Sequence, residues 1–413
     1  MRYKKIFAKV FEEITPSPKE RKIILKEVNT FLSKLNSALK RLRIPAKAVL
    51  GGSYAKDTWL SGDHDVDVFV CFDLKYRDEN LSDMLQRALK SFKFQRVHGS
   101  RDYFWVFQKG IKYEIVPVLA IKKAQDAQNI TDFSPRHVNW VNKNGKNLKA
   151  DIRLVKKFCK AANCYGAESY IRGFSGHVVD ILTIHYRGFL PLLKAARNWK
   201  PKTVLDCYNV YKSKALLILN KSKIEGPLVL IDPVQPGRNA AAALTLENYQ
   251  KFVSAAKAFL RQPSNSFFVE KKVDFEKLKK KGVLTVVKVI SLKGVEDVAG
   301  TKLLKAFEFV RDVLSDFGIK QAGWSWDKKK TGFFWFVLKT PRLQKTFVWE
   351  GPPLVIKQHV EKFKKKHKRT FVRKKKIYAY VKRKYLTPED AVRYALAKRY
   401  VRERIKSARV VKL

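Results

Sequence analysis

The chain has 413 residues, with 87 Lys and Arg against 37 Asp and Glu for a formal net charge of +50, and 46% apolar and 12% aromatic residues. That apolar fraction excludes a disordered chain and provides for roughly two to four domains with buried cores. A pI near 10.1 and this degree of self-repulsion point to a polyanionic partner, nucleic acid ahead of an anionic membrane surface. No apolar run of about 20 residues, signal peptide or lipidation motif is read, so the expectation is a soluble, cytoplasmic protein with no membrane role. Cys71, Cys159, Cys164 and Cys207 are scattered, without CxxC pairs or histidines at zinc-finger spacing. They read as reduced core thiols.

In chain order, the first forty residues, through KERKIILKEVNTFLSKLNSALKRL, carry apolar residues at helical spacing and predict an amphipathic helix. AKAVLGG reads as a short strand reaching a glycine turn, SYAKDTWL as two helical turns, and DVDVFVCF as the next strand. LSDMLQRALKSF is helical. DYFWVFQKG and IKYEIVPVL form a hairpin turned at Lys109-Gly110. This gives an α/β head over residues 1–122. Between them IRLVKKFCKAAN, GHVVDILTIHYRGFL, PLLKAARNW and LENYQKFVSAAKAFLRQ give a helical central domain over 123–262.

Strands return in an α+β body over 263–385. VLTVVKVISL, the helix GTKLLKAFEFVRDVLSDFG ending at Gly318, then GWSW and GFFWFVLK joined by a lysine-rich turn, give a β-α-β-β order and a ferredoxin-like or RRM-like unit. Its aromatic stripe suits either base stacking or core packing. EKFKKKHKRTFVRKKKIYAYVKRKY interleaves aromatics with basic residues, as a surface tracking phosphates would, although a charge run is commonly a solvated face. TPEDAVRYALAKRYVRERI opens with Thr387 as N-cap and Pro388 at the first helical position, and predicts a helical tail over 386–413.

The informative stretch is GGSYAKDTWLSGDHDVDVFV, from Gly51 to Val70. Asp65 and Asp67, two apart on a strand, share one face about 6.5 Å apart. Two carboxylates that close need a cation or a wet face. Such a pair can clamp one or two Mg²⁺ ions for in-line attack at phosphorus. Gly51-Gly52-Ser53 supplies a complementary half, because glycines admit close backbone approach and the following helix N-terminus offers N–H groups to phosphate. The Ser53 hydroxyl and Lys56, one turn on, add donors for a triphosphate. A lone GGS is an ordinary turn and a lone DxD a solvated edge; their combination carries the inference.

This arrangement resembles the DNA polymerase β-like nucleotidyltransferase superfamily, whose motif is a Gly-Ser turn, a short helix and an acidic-x-acidic strand. The resemblance implies a third carboxylate on a neighbouring strand. The matching residue in IKYEIVPV is Glu114, where the family usually has Asp. More of the chain resembles one branch, the archaeal (class I) CCA-adding enzymes. GSYAKDTW and DVDVF are followed in the family's order by SPRH from Ser134, RLVKKFCKAANCYGAE from Arg153, RGFSGH from Arg172, DPVQPGRNAAAAL from Asp232, EGPPL and TPEDAVR. Besides Glu114, the sequence departs at Arg101, where the family pattern has His, and in a short, basic C-terminus.

The resemblance implies a polymerase β-like head, a helical neck and the α+β body just described. It further implies stepwise, template-independent addition of C, C and A to the tRNA 3′ end from CTP and ATP with Mg²⁺. Asp65, Asp67 and Glu114 would be the catalytic and metal-binding carboxylates. By the same resemblance Ser53, Lys56, Lys156 and Tyr165 would face the triphosphate, Ser134 and His137 the sugar and triphosphate, and Arg238 the incoming base and RNA phosphates. The basic C-terminal half would hold the tRNA acceptor stem and T arm, in a possible homodimer. A poly(A) polymerase, another terminal transferase, or an RNA-binding module with a dead site are the alternatives.

Overall fold

In a computed structural model that describes residues 2–411, the chain divides into two compact units, Met1–Lys271 and Lys272–Leu413. The first unit opens with two helices rather than the single one expected, α1 (Arg2–Ile14) and α2 (Pro18–Arg41). Pro16 and Pro18 lack the N–H that would continue the ladder, and Ser17 accepts from the Glu20 N–H at 3.1 Å to restart it.

Five strands follow: β1 (Ala46–Leu50), β2 (Asp65–Phe72), β3 (Phe94–Val97), β4 (Tyr103–Gln108) and β5 (Ile111–Leu119), with helices α3 (Gly52–Ala55) and α4 (Leu81–Ala88) between them. The sheet order is β1-β2-β5-β4-β3. β2 and β5 run parallel; every other pairing is antiparallel. The hairpin turns at Lys109-Gly110 as expected, with both residues at positive φ, whereas edge strand β3 went unread. One face packs Val66, Val68 and Val70 under Val28, Phe31 and Leu35 of α2. Phe31 stacks on Tyr113 at 4.0 Å, and each such buried side chain contributes about 1.5–3 kcal/mol.

The other face carries Phe69, Val116 and Val118, covered by Val138 of α5 (Ser134–Asn144). That helix begins the helical layer, which continues through α6 (Lys149–Ala161), α7 (Gly176–His185), α8 (Phe189–Ala196) and a helix at Leu246–Arg261. Two three-residue parallel strands, β6 (Thr203–Leu205) and β7 (Leu228–Leu230), add a small sheet that the sequence did not signal. The core here is aromatic, built on Phe158, Phe189, Phe252, Phe259 and Phe268. α1 packs into it: Phe7 meets Phe189 edge-on at 5.5 Å.

In the second unit β8 (Val283–Ser291), a helix at Glu296–Val313, β9 (Ile319–Trp326) and β10 (Thr331–Leu338) give the expected β-α-β-β order. Gly318 ends the helical segment at φ 71, a left-handed position suited to glycine. The aromatic stripe divides by face. Phe334 and Phe336 are buried against Phe307, while Phe333 and Trp335 lie by Phe275.

The tail corrects the sequence reading. The helix Pro388–Leu396 is capped by Thr387 as expected, but the chain then forms strand β14 (Ile405–Val411) on β8. Ala408 and Val410 face the core, and pairing there satisfies a β8 edge that a helical tail would leave open. The resulting order, β14-β8-β10-β9, completes a ferredoxin-like sheet. The lysine-rich stretch is folded as well. It lies in a second sheet, β11 (Thr346–Pro353), β12 (Thr370–Arg373) and β13 (Lys376–Lys382), with a helix at Lys357–Lys366. This insertion enters and leaves at one point: the Arg383 N–H donates to the Lys345 carbonyl at 2.9 Å, and that of Leu343 to Leu386 at 2.9 Å.

Candidate active site

The parallel β2–β5 register sets Asp67 opposite Glu114 and Asp65 opposite Lys112. Paired residues share a face, so three carboxylates gather at one end of the sheet. Farther along the same face of β2, Phe69 is buried beneath α5. This explains how an apolar strand carries two acids: the helical layer covers the strand's later half and leaves its first turn open, with the Asp65 side chain 70% exposed. Lys112 Nζ lies 3.9 Å from Asp65 and 4.5 Å from the centre of the Trp105 ring. Trp105 Nε1 donates to Glu114 Oε2 at 3.0 Å, which fixes the third carboxylate.

The glycine turn is built against these acids. Gly51 N–H donates to the Asp67 carbonyl at 2.8 Å. Gly52 has φ +53, and a Cβ there would fall 1.5 Å from Asp67 Oδ2. Only glycine lets α3 start this close. α3 is one turn, not the two expected, because Asp57 turns left-handed (φ 52) and Arg153 of α6 donates to its carbonyl at 2.6 Å and its carboxylate at 2.9 Å. Tyr54 and Trp59 of the same motif are structural; they stack at 4.6 Å. Burial pushes the Asp67 carboxyl up to about 6, Glu114 and Asp65 add to the rise, and Lys56 and Lys156 oppose it.

Those two lysines are buried behind the carboxylates. Lys56 Nζ donates to Asp180 Oδ2 of α7 at 2.5 Å, and Lys156 Nζ to the Thr58 carbonyl and Oγ1 at 3.0 Å each. Burial pulls Lys156 down to about 8, with Asp180 holding it up and Lys56 pressing it lower. α6 ends at Ala161 and Asn163 takes φ 52, so the chain turns back and Tyr165 joins the same group. Its phenol is raised by burial and then by Asp180, and Lys160 lies 5.6 Å over its ring. Ser53 lies in α3 and Ser134 opens α5.

A second cluster forms on α5, α7 and the loop after β7. Asp232 is fully buried. Its Oδ1 accepts from the N–H groups of Val234 and Gln235 at 2.9 and 3.2 Å, and its Oδ2 accepts from Arg238 Nη1 at 3.0 Å. His137 Nε2 and His177 Nε2 stand 3.1 and 3.3 Å from the same oxygen. Burial works against its charge, yet the two imidazoles hold Asp232 well below the usual carboxylate range. Burial in turn pushes His137 down against the pull of Asp232. Asn239 braces this loop, accepting from the Leu230 and Ala241 N–H groups at 2.9 Å each.

Arg101 belongs to neither cluster. It pairs with the buried Asp132 at 2.5 Å and donates to the Pro117 carbonyl at 3.1 Å. Asp132 also accepts from the Leu119 N–H at 2.8 Å. The pair therefore pins the turn before Ser134 to the end of β5. Sequence reasoning missed Asp180, Thr58, Trp105, His177 and Asp232 as partners in these clusters. Asp180 had a legible signal, a lone acid inside the apolar run VVDILTI, since a buried charge requires a partner.

The donor set suits divalent cations. Three carboxylates share one face at one end of the sheet, burial and then Glu114 raise the central one, Asp67, and a glycine backbone is packed on it, an all-oxygen set of the kind hard divalent ions take.

Family comparisons agree with this anatomy. Residues 32–139 match a nucleotidyltransferase domain, 150–269 the second domain of tRNA nucleotidyltransferases, and 282–411 the C-terminal domain of CCA-adding enzymes. Among curated relatives, the CCA-adding enzyme of Nanoarchaeum equitans is 37% identical over 78% of this chain and 80% of its own length. That of Thermococcus kodakarensis is 29% identical over 100% and 94%. Of solved structures, a cytoplasmic RNA terminal U-transferase superposes with a TM-score of 0.50 at 16% identity, over 66% of this chain and 99% of its own. The terminal uridylyl transferase Cid1 gives 0.52 at 15%, over 66% and 98%. These two likenesses concern the fold alone.

Proposed function

The chain belongs to the CCA-adding enzyme family, and from that premise we propose how its residues divide the work of building the tRNA 3′ end. The activity is template-independent nucleotidyl transfer that adds C, C and A to tRNA. The observation that carries the assignment of the centre is the register of Asp67 against Glu114, with Gly52 packed on Asp67.

The substrates are CTP and ATP, and the divalent ion is Mg²⁺, held by Asp65, Asp67 and Glu114. Held by these carboxylates, Mg²⁺ would supply neutralisation of the charge that develops on the attacking and leaving oxygens. Glu114, oriented by Trp105, faces the RNA 3′-hydroxyl and takes its proton. Ser53 and the first N–H groups of α3 hold phosphate oxygens as pyrophosphate departs. Lys56 and Lys156 set the positive potential behind the triphosphate, with Asp180 fixing Lys56, and Tyr165 offers its neutral hydroxyl to the same group. Ser134 and His137 face the sugar side, and Arg238, anchored on Asp232, reads the base together with RNA phosphates. The basic C-terminal unit holds the acceptor stem and T arm by shape and backbone contacts, as helical RNA is usually recognised. We place this activity in the cytoplasm.

Primer extension on tRNA transcripts ending before C74, after C74 and after C75, with CTP, ATP or both, tests the reading. Stepwise C, C, A addition that stops at the mature end and is lost in Asp67→Asn is expected. Unlimited A addition would assign a poly(A)-type transferase instead, and tRNA binding without extension a binding module.

A further inference from the structure

We propose that His137, His177 and Asp232 form a site for one divalent transition metal of the Zn²⁺ class, separate from the three catalytic carboxylates. The proposal rests on side-chain geometry; it shares His137 and the Asp232–Arg238 pair with the sugar- and base-facing group assigned above, and metal binding is therefore tested apart from activity. Among the described residues this is the one group of three or more His, Cys, Asp or Glu side chains whose ligand atoms gather as a metal site requires, all within 4.8 Å of one another.

The spacing is that of a tetrahedral edge. The two Nε2 atoms lie 3.1 and 3.3 Å from Asp232 Oδ2. Ligands about 2.0–2.1 Å from a tetrahedral ion stand roughly 3.3 Å apart. The two imidazoles are tilted by 37° with ring centres 4.0 Å apart, so they approach the carboxylate side by side from α5 and α7.

Charge pairing of the two imidazoles with Asp232 still leaves ring nitrogens over. Despite those distances, His137 Nε2 and both ring nitrogens of His177 are buried without a hydrogen bond of acceptable geometry. Buried polar nitrogens without partners are uncommon and call for an explanation, an ion among them. A metal lying on the nitrogen lone pairs, to one side of the N···O line, satisfies one nitrogen of each ring and the carboxylate together.

The surroundings suit a ligating carboxylate. Asp232 is fully buried, two backbone N–H groups occupy Oδ1, and Arg238 donates to Oδ2, the kind of outer support that orients metal ligands. Two imidazoles and one carboxylate favour Zn²⁺, Fe²⁺ or Co²⁺ over Mg²⁺, which prefers oxygen ligands alone. The ion would lock α5, α7 and the Arg238 loop together.

Co²⁺ is the probe, titrated into chelator-treated full-length protein in the presence of excess Mg²⁺ to occupy the carboxylate centre. One equivalent should bind with visible absorption bands typical of tetrahedral nitrogen and oxygen ligation, and Zn²⁺ should displace it. His177→Gln should weaken Co²⁺ binding at least 100-fold, while Asp65→Asn, which alters the other centre, should leave it unchanged. A wild-type protein without stoichiometric Co²⁺ binding, or a spectrum unaltered in His177→Gln or abolished by Mg²⁺, overturns the proposal. Should His177→Gln fail to fold, the Zn²⁺ stoichiometry of wild type measured by mass spectrometry decides alone, with zero metal refuting it. CCA addition assayed with Mg²⁺ in the chelator-treated protein is scored separately.

Discussion

Replacing Gly52 with alanine asks one methyl group to occupy the place of an Asp67 carboxylate oxygen. The new Cβ would lie 1.5 Å from Asp67 Oδ2 and 2.5 Å from its Cγ, where ordinary contacts begin at 3.4 Å. Relief requires the carboxylate or the turn to move by about 1–2 Å, and a misplacement of about 1 Å in a reacting geometry costs on the order of 10²-fold in rate. The left-handed backbone at φ +53 adds about 1–2 kcal/mol of strain for a non-glycine residue. Gly62→Ala is the matched control, because Gly62 also has positive φ (+77) but a Cβ there meets nothing within 4 Å. Both variants should lose stability to the backbone strain in denaturant unfolding, Gly52→Ala by a further ~1–3 kcal/mol for the clash. Only Gly52→Ala should slow single-turnover nucleotide addition, by about 10²-fold or more. If Gly52→Ala adds nucleotides within a few-fold of Gly62→Ala, the close packing of the turn on Asp67 is not what positions the carboxylate.

Because burial holds the Asp67 carboxyl near 6, well above the ordinary aspartate value of about 3.9, its ionised form costs the metal-free fold up to about 3 kcal/mol at neutral pH. A raised acid destabilises fully above its folded pKa and not at all below its unfolded one. Asp67→Asn should thus abolish addition yet unfold at higher urea than wild type at pH 7.5 with chelator, and the advantage should shrink between pH 6 and 4. Breaking the buried Lys56–Asp180 pair by Asp180→Asn should cost about 3–5 kcal/mol, and adding Lys56→Met should recover part of it; equal loss in single and double variants on thermal unfolding would contradict the pairing. Trp105→Phe removes the donor to Glu114, a charge-assisted bond of about 1.5–3 kcal/mol. It should lower kcat by about 10-fold or more with KM for CTP and ATP little changed, a split that steady-state kinetics reads directly.

What the sequence made legible follows from local rules. Asp65 and Asp67 could be placed on one face by strand alternation, and the Lys109-Gly110 turn by its residues, because both depend on near neighbours in the chain. The break between α1 and α2 was legible in Pro16 and Pro18 but was overridden by the apolar periodicity around it. The length of α3 depends on Arg153, 96 residues from Asp57, so no window on the motif could report it. Partners such as Asp180 for Lys56, 124 residues away, are likewise set by packing of one layer on another. β14 was read as helix because the preceding capped helix is genuine. Its strand state is fixed by the β8 edge that receives it.

The insertion bearing β11–β13 joins the ferredoxin-like unit where its two chain ends lie side by side, Lys345 bonded to Arg383 and Leu343 to Leu386, with Arg383 also paired to Asp316 of the host. A segment anchored that way behaves as a detachable cassette. The host sheet neither threads through it nor borrows a strand from it, so a short turn could bridge Leu343 to Leu386 without changing the order of the four host strands. Selection, or an engineer, can therefore exchange the lysine-rich surface while leaving the fold that carries it untouched.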